Sequence, residues 1–111
     1  LDGSHSYPAP EIDYYYLFPH LAPAGLLIMD DIHIPMLRNM FRFLREDAMF
    51  RLVEVAGHTA FFRRTDAPTF DRYLGNWFDQ GYNARHFPLT ERIKLRIPPR
   101  ARQRIKSLLH R

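Results

Sequence analysis

Apolar positions change their period along this chain, and each change marks an element. Behind Pro8 and Pro10, Ile12, Tyr15, Tyr16 and Leu17 predict a helix over 8–20 with those residues as its buried stripe, because proline near a helix start gives up only an N–H that has no partner there. Pro23-Ala24-Gly25 then breaks the chain. Leu26-Leu27-Ile28-Met29, closed by Asp30-Asp31, is apolar at every position, as expected of a parallel strand buried on both faces. After Pro35, Leu37, Met40, Phe41 and Leu44 recur at helical spacing while Arg38, Arg42 and Arg45 fall elsewhere, which predicts a second helix to about Glu46. Residues 50–55 and 59–62 read as strands joined by Ala56-Gly57-His58, a tight antiparallel hairpin. Leu1-Asp2-Gly3 reads as the end of a further strand. The order strand end, helix, strand, helix, hairpin predicts an α/β sheet with right-handed crossovers between parallel strands and the hairpin as an antiparallel edge.

Past Asp66 the pattern weakens, so the chain divides into 1–66 and an extension over 67–111 that is first aromatic and then basic. The segment Asn76 to Asn83 suits either a lid over an acceptor or plain packing against the sheet. Beyond Pro98-Pro99, Ala101, Ile105, Leu108 and Leu109 share one helical face. The extension also holds the charge. Residues 85–111 carry nine basic residues against one acid, +8, which leaves −4 for 1–84 within the net +4.

With 111 residues, 46% hydrophobic, the chain has material for one small core and is no disordered tail. It has no cysteine, so disulfides, thiolate metal sites and thiol nucleophiles are excluded and any metal must sit on oxygen or imidazole. The longest apolar run, 24–29, is far short of the roughly 20 residues that span a bilayer. No signal-like segment opens the chain, and the expectation is a soluble, cytoplasmic protein.

In open α/β sheets, ligands sit beyond the carboxyl ends of the strands. Two such ends are legible, Leu1-Asp2-Gly3-Ser4-His5 and Met29-Asp30-Asp31-Ile32-His33. If they are parallel neighbours, Asp2, Asp30 and Asp31 converge on one rim, and like charges so close call for compensation by a hard divalent cation such as Mg²⁺. The plainer alternative is that Asp30 or Asp31 caps the turn that follows, with Asp2 exposed.

The string Leu1-Asp2-Gly3-Ser4-His5-Ser6-Tyr7, a helix, and then Leu21-Ala22-Pro23-Ala24-Gly25-Leu26-Leu27-Ile28-Met29-Asp30-Asp31 resembles the second half of a class I S-adenosylmethionine-dependent methyltransferase. More narrowly it is similar to the metal-assisted O-methyltransferases that include the catechol enzymes and those grouped with cephalosporin biosynthesis. The likeness covers about 1–64. It implies that Asp2, Asp30 and Asp31 are cation ligands, that His5 stands where the catechol enzymes have a lysine as general base, and that Gly3 and Ser4 lie in the loop passing the methyl donor. His33 is expected to be structural or to support a ligand. Ala24 replaces the first glycine of the family's Pro-Gly-Gly turn, and Asp31 stands where catechol enzymes have Asn.

The family's donor-binding front, with its glycine-rich turn, has no counterpart among Gly3, Gly25, Gly57, Gly75 and Gly81. The fold expected is therefore a partial Rossmann-like methyltransferase sheet whose N-terminal half is missing, with an unpaired edge and an exposed apolar face. The function expected is a fragment of a methyltransferase that O-methylates a small-molecule or sugar hydroxyl and is inactive alone. No nucleic acid partner is expected, and a homo-oligomer is compatible with the sequence. The rival from another class is a non-catalytic α/β module whose basic tail binds nucleic acid or an anionic membrane surface. A third reading keeps the methyltransferase and drops the metal.

Overall fold

A proline at the first position of an amphipathic segment starts the longest of the described helices. The computed structural model describes residue 1 and residues 3–91. Within it α2 spans Pro35–Arg45, with Arg42 and Arg45 in the last turn, where the helix dipole favours positive charge. It buries Leu37, Met40 and Leu44. These are three of the four residues expected on its inner face, and Phe41 is half-buried beside them.

The helix α1 spans Ala9–Leu17 and passes into a single 3₁₀ turn over Phe18–His20. Its inner face differs from the expected one. Pro10 and Phe18 are buried with Tyr14 packed against the core, while Ile12, Tyr16 and Leu17 are exposed. Apolar side chains occur all round this segment, so its phase cannot be read from composition. Stacking of Tyr14 on Phe18, with ring centroids 5.1 Å apart, accompanies the face that is used.

The three described strands are β1 (Leu26–Met29), β2 (Phe50–Ala56) and β3 (Thr59–Arg64), in the order β1-β3-β2 with both pairings antiparallel. The hairpin supplies an antiparallel edge strand, β2, while its other strand, β3, is the central one and pairs with β1. One expectation is corrected, since the strand Leu26–Met29 is not buried on both faces: Leu27 and Met29 are 3% and 0% exposed, but Leu26 and Ile28 are 47% and 44% exposed. One face of the sheet is covered by α1 and α2 and the other is open. Since β1 and β2 each run opposite to β3, they run parallel to one another, with α2 crossing between them and β3 inserted. Beyond its free edge β1 also meets Leu1. The Leu1 nitrogen donates to the Ile28 carbonyl and the Asp30 N–H donates to the Leu1 carbonyl at 3.4 Å, two bonds that straddle Met29 in the alternation of a parallel pair.

Two tight turns set these strands. Gly57 takes φ +61 at the first central position of the β2–β3 hairpin, a conformation that favours glycine. In the turn that leads into β1, the Gly25 N–H donates to the Ala22 carbonyl at 3.0 Å, with Pro23 at the first central position and Ala24 at φ +68 at the second. That is type II geometry, for which proline then glycine is the favoured pair.

The core gathers Phe18, Leu27, Met29, Leu37, Leu44, Met49, Phe50, Ala60 and Phe62. After β3, a 3₁₀ turn over Trp77–Asp79 and a short helix α3 (Gly81–His86) fold back onto the end of α2. Gly81 lies so close to the Glu46 carbonyl that a Cβ would sit 2.0 Å from its oxygen. The basic segment from Arg92, including the face formed by Ala101, Ile105, Leu108 and Leu109, lies outside the described residues.

Candidate functional site

At the end of β1 the chain makes a turn that its two aspartates shape differently. Asp30 leaves the strand with its carboxylate folded back: Oδ1 accepts from the Asp31 N–H at 2.9 Å and from the Thr59 hydroxyl at 2.8 Å. The Thr59 hydrogen bond first, and the Asp31 N–H second, hold the Asp30 carboxyl below the usual carboxylate range. Asp31 takes φ +57, a left-handed conformation that aspartate tolerates better than most residues. The Ile34 N–H closes this turn on the Asp31 carbonyl at 3.0 Å.

The left-handed turn sends the Asp31 side chain toward the loop after Gly3. There Asp31 Oδ2 meets His5 Nε2 at 2.7 Å, across 26 residues of sequence. A carboxylate can only accept, so Nε2 carries the hydrogen and Nδ1 is the nitrogen that faces elsewhere. The side chains are 29% and 35% exposed, which places the pair within reach of solvent and of a ligand. On the same rim the Ile32 N–H donates to the His58 carbonyl at 2.9 Å, and the His33 and His58 rings lie 4.0 Å apart, tilted by 37°.

Of the residues singled out by sequence, His5, Asp30 and Asp31 come together. Asp2 lies outside the described residues, so its place on this rim is not part of the geometry. Gly3 and Ser4 are exposed. A Cβ on Gly3 would stand 2.9 Å from the Asp13 carboxylate, the far end of an exposed side chain that can swing aside. Ser4 Oγ accepts from the Ser6 N–H at 3.3 Å. Thr59 and His58 were not anticipated. They reach the rim because β1 pairs with β3 in a register that sets Met29 opposite Ala60, and therefore Thr59 beside Asp30. Only that pairing, which the expected parallel neighbour replaced, would have exposed them.

The compensation expected of a cation is supplied here in part by protein groups: Thr59 and a backbone N–H on Asp30, His5 on Asp31. Among the described residues no group of three His, Asp or Glu side chains is gathered to hold a metal ion. No described helix is long and apolar enough to cross a membrane. The geometry of this rim has to speak for itself, because no family model, no curated protein and no solved structure matches this chain.

Proposed function

We infer that this chain carries the acceptor-activating part of an S-adenosylmethionine-dependent O-methyltransferase, acting on a small-molecule or sugar hydroxyl with a divalent cation. The observation that carries the reading is the contact of His5 with Asp31 at 2.7 Å, beside Asp30, at the carboxyl end of β1. Two loops far apart in sequence meet where open α/β sheets bind ligands. The finer fold belongs to the same proposal: β1, β3 and β2 would be the closing strands of a Rossmann-like sheet continuing in parallel on the Leu1 side of β1. The two hydrogen bonds of Leu1 around Met29 support it.

The donor set suits a hard cation. Asp30 Oδ2 and Asp31 Oδ1 accept no hydrogen bond from described residues, so each carboxylate keeps one oxygen open. Asp30 and Asp31 would hold the ion, with Asp2 as the third ligand that the family likeness implies. When bound, S-adenosylmethionine supplies a methyl group on a sulfonium and the cation lowers the pKa of the acceptor hydroxyl. His5 Nδ1, turned away from Asp31 by the Nε2 contact, would take the proton of the acceptor hydroxyl, whose oxygen would then be free to receive the methyl group as its bond to the sulfonium sulfur breaks and leaves the thioether. Asp31 holds the imidazole in the matching tautomer and steadies the imidazolium that results. Gly3 and Ser4 would line the passage of the donor.

Imidazole NMR of the chain tests this directly. Titration with millimolar Mg²⁺ is expected to move the His5 ring resonances, and Asp30→Asn and Asp31→Asn are each expected to abolish the response while leaving the fold intact by circular dichroism. A His5 signal indifferent to Mg²⁺ in the unmodified chain overturns the metal-assisted reading and leaves the metal-independent one.

The rival reading, a module for an anionic partner, has its own observation. Arg42, Arg45, Arg85 and His86 line a cleft of about 430 Å³ in which, among the described residues, Glu46 is the one acid, paired to His86 at 2.8 Å and to Arg85 at 3.4 Å. Salt-sensitive retention on heparin that Arg42→Gln with Arg45→Gln abolishes would favour it.

A further inference from the structure

Where α3 folds back onto the end of α2, the two helices leave an open cleft of about 430 Å³, lined by Arg42, Arg45, Glu46, Tyr82, Arg85 and His86. Backbone as well as side chains hold its walls in place. Gly81 lies so close to the Glu46 carbonyl that a Cβ would collide with it. Next to Gly81, the Tyr82 ring packs against Phe43, with centroids 5.9 Å apart, and against His86, with centroids 4.3 Å apart. The cleft is therefore formed before any ligand arrives, which lowers the ordering cost of filling it.

Glu46, the one acid of the cleft among the described residues, is already answered. Its Oε2 accepts from His86 Nε2 at 2.8 Å and its Oε1 from Arg85 Nη1 at 3.4 Å. Arg42 and Arg45 are left over. Neither makes an ion pair among the described residues, and the Arg45 guanidinium lies 5.5 Å from the centre of the Phe41 ring. Three positions apart on α2, the two arginines are neighbours on its surface and bring two positive charges to one side of the cleft. The C-terminal end of the α2 dipole offsets about half a charge of the two. More than one positive charge thus stays unanswered, in a concave site with rings beside it. A guanidinium presents paired N–H donors in a fork that fits phosphate oxygens, and a phosphate monoester carries close to two negative charges above about pH 6. A carboxylate or a phosphate diester carries only one.

We propose that the α2–α3 cleft is a binding site for a small phosphate monoester, its phosphate held by Arg42 and Arg45 with Tyr82 and His86 against its organic part. The proposal rests on no residue of the Asp30 rim. From the rival reading it takes only the cleft: a nucleic acid or a membrane would meet these arginines as a surface, whereas the monoester enters as a single molecule.

The probe is phenyl phosphate, compared with its diester methyl phenyl phosphate. Each is titrated into the full chain at about pH 8 and constant ionic strength, and followed by calorimetry and by the ring resonances of Tyr82 and His86. Phenyl phosphate is expected to bind about fivefold or more tightly than the diester, which carries half its charge. Arg42→Gln and Arg45→Gln are each expected to weaken it about threefold or more. Arg38→Gln removes the same charge from an exposed position of α2 outside the cleft, and is expected to change the affinity by less than about twofold. Thermal midpoints are recorded alongside, and should a variant unfold, the comparison of the two esters on the unmodified chain decides. Equal binding of the esters, equal weakening by Arg38→Gln, or no binding of phenyl phosphate overturns the proposal. Retention on heparin without phenyl phosphate binding also overturns it and leaves the rival reading in place, whereas phenyl phosphate binding without retention does the reverse.

Discussion

Ala24 pays a steric penalty that its neighbours define. It sits at φ +68 in the second central position of a type II turn, with its N–H bonded to the Arg64 carbonyl at 2.8 Å and its carbonyl to Arg63 at 2.8 Å, so the turn cannot relax without releasing β3. A Cβ in that region costs roughly 1–2 kcal/mol, and glycine returns about half of the gain through its freer unfolded chain. Ala24→Gly is therefore expected to stabilise the fold by about 0.5–1 kcal/mol, seen as a rise of a few degrees in thermal midpoint. Asp47 offers a second measurement at this scale. Burial pushes its carboxyl up, against the Met49 N–H and the Arg64 charge, whereas hydrogen bonds hold Asp30 down. The signs are opposite. A raised acid leaves the folded state holding a proton that the unfolded chain has lost, so the contribution of Asp47 to stability falls as pH rises from the unfolded carboxylate value through its folded one. The contribution of Asp30 is present above its unfolded value and is lost as pH falls through the lowered folded one. Asp47→Asn keeps an acceptor for the Met49 N–H, bonded at 2.8 Å, and cannot ionise. Its thermal midpoint relative to the unmodified chain is expected to climb as pH rises through and above the ordinary carboxylate range. A flat difference would show that Asp47 does not titrate in that window.

At the scale of elements, legibility followed periodicity. In α2 the arginines mark the wet side, so Leu37, Met40 and Leu44 could be assigned to the core from spacing alone. In α1 the run Tyr14-Tyr15-Tyr16-Leu17 offers apolar surface in every direction, and the face used, Pro10, Tyr14 and Phe18, was chosen by the fit of rings against Phe50 and Phe18 rather than by pattern. The strand Leu26–Met29 misled for a related reason: four apolar residues in a row say nothing about whether both faces are covered, and here one is open. The candidate site was half legible. Strand-end aspartates flag themselves, but Thr59 and the His5–Asp31 contact depend on which strand lies beside β1 and on a left-handed Asp31. Truncation distinguishes the two faces of α1. Phe18→Ala, at a residue 5% exposed, is expected to cost about 3–5 kcal/mol, whereas Ile12→Ala, at one 49% exposed, stays below about 1 kcal/mol by denaturant titration. The reverse order would restore the face that spacing suggested.

For the whole molecule, the question is how much of a methyl-donor site these residues could provide. Micromolar affinity requires about 8 kcal/mol of net binding energy, and ligands of that class usually bury most of their surface in a preformed pocket. The family likeness assigns the donor only Gly3 and Ser4, both exposed, with Gly3 packed toward Asp13 and Ser4 engaged with its own loop. The small cavity beside them, lined by Leu1, Gly3, Ser4, His5, Pro10, Asp13 and Leu37, holds about 10 Å³ and is too small for a nucleoside. Two exposed loop residues cannot supply the required energy, even with His5 and the aspartates correctly set. Calorimetric titration of S-adenosylmethionine into this 111-residue chain is therefore expected to give no micromolar binding, with or without Mg²⁺, although the His5 response to Mg²⁺ persists. That combination would separate the acceptor activation proposed for the Asp30 rim from donor binding, for which Gly3 and Ser4 do not suffice. Micromolar affinity would instead require donor contacts outside the rim, and the first place to seek them would be the open face of the sheet around Leu26, Ile28 and Phe61.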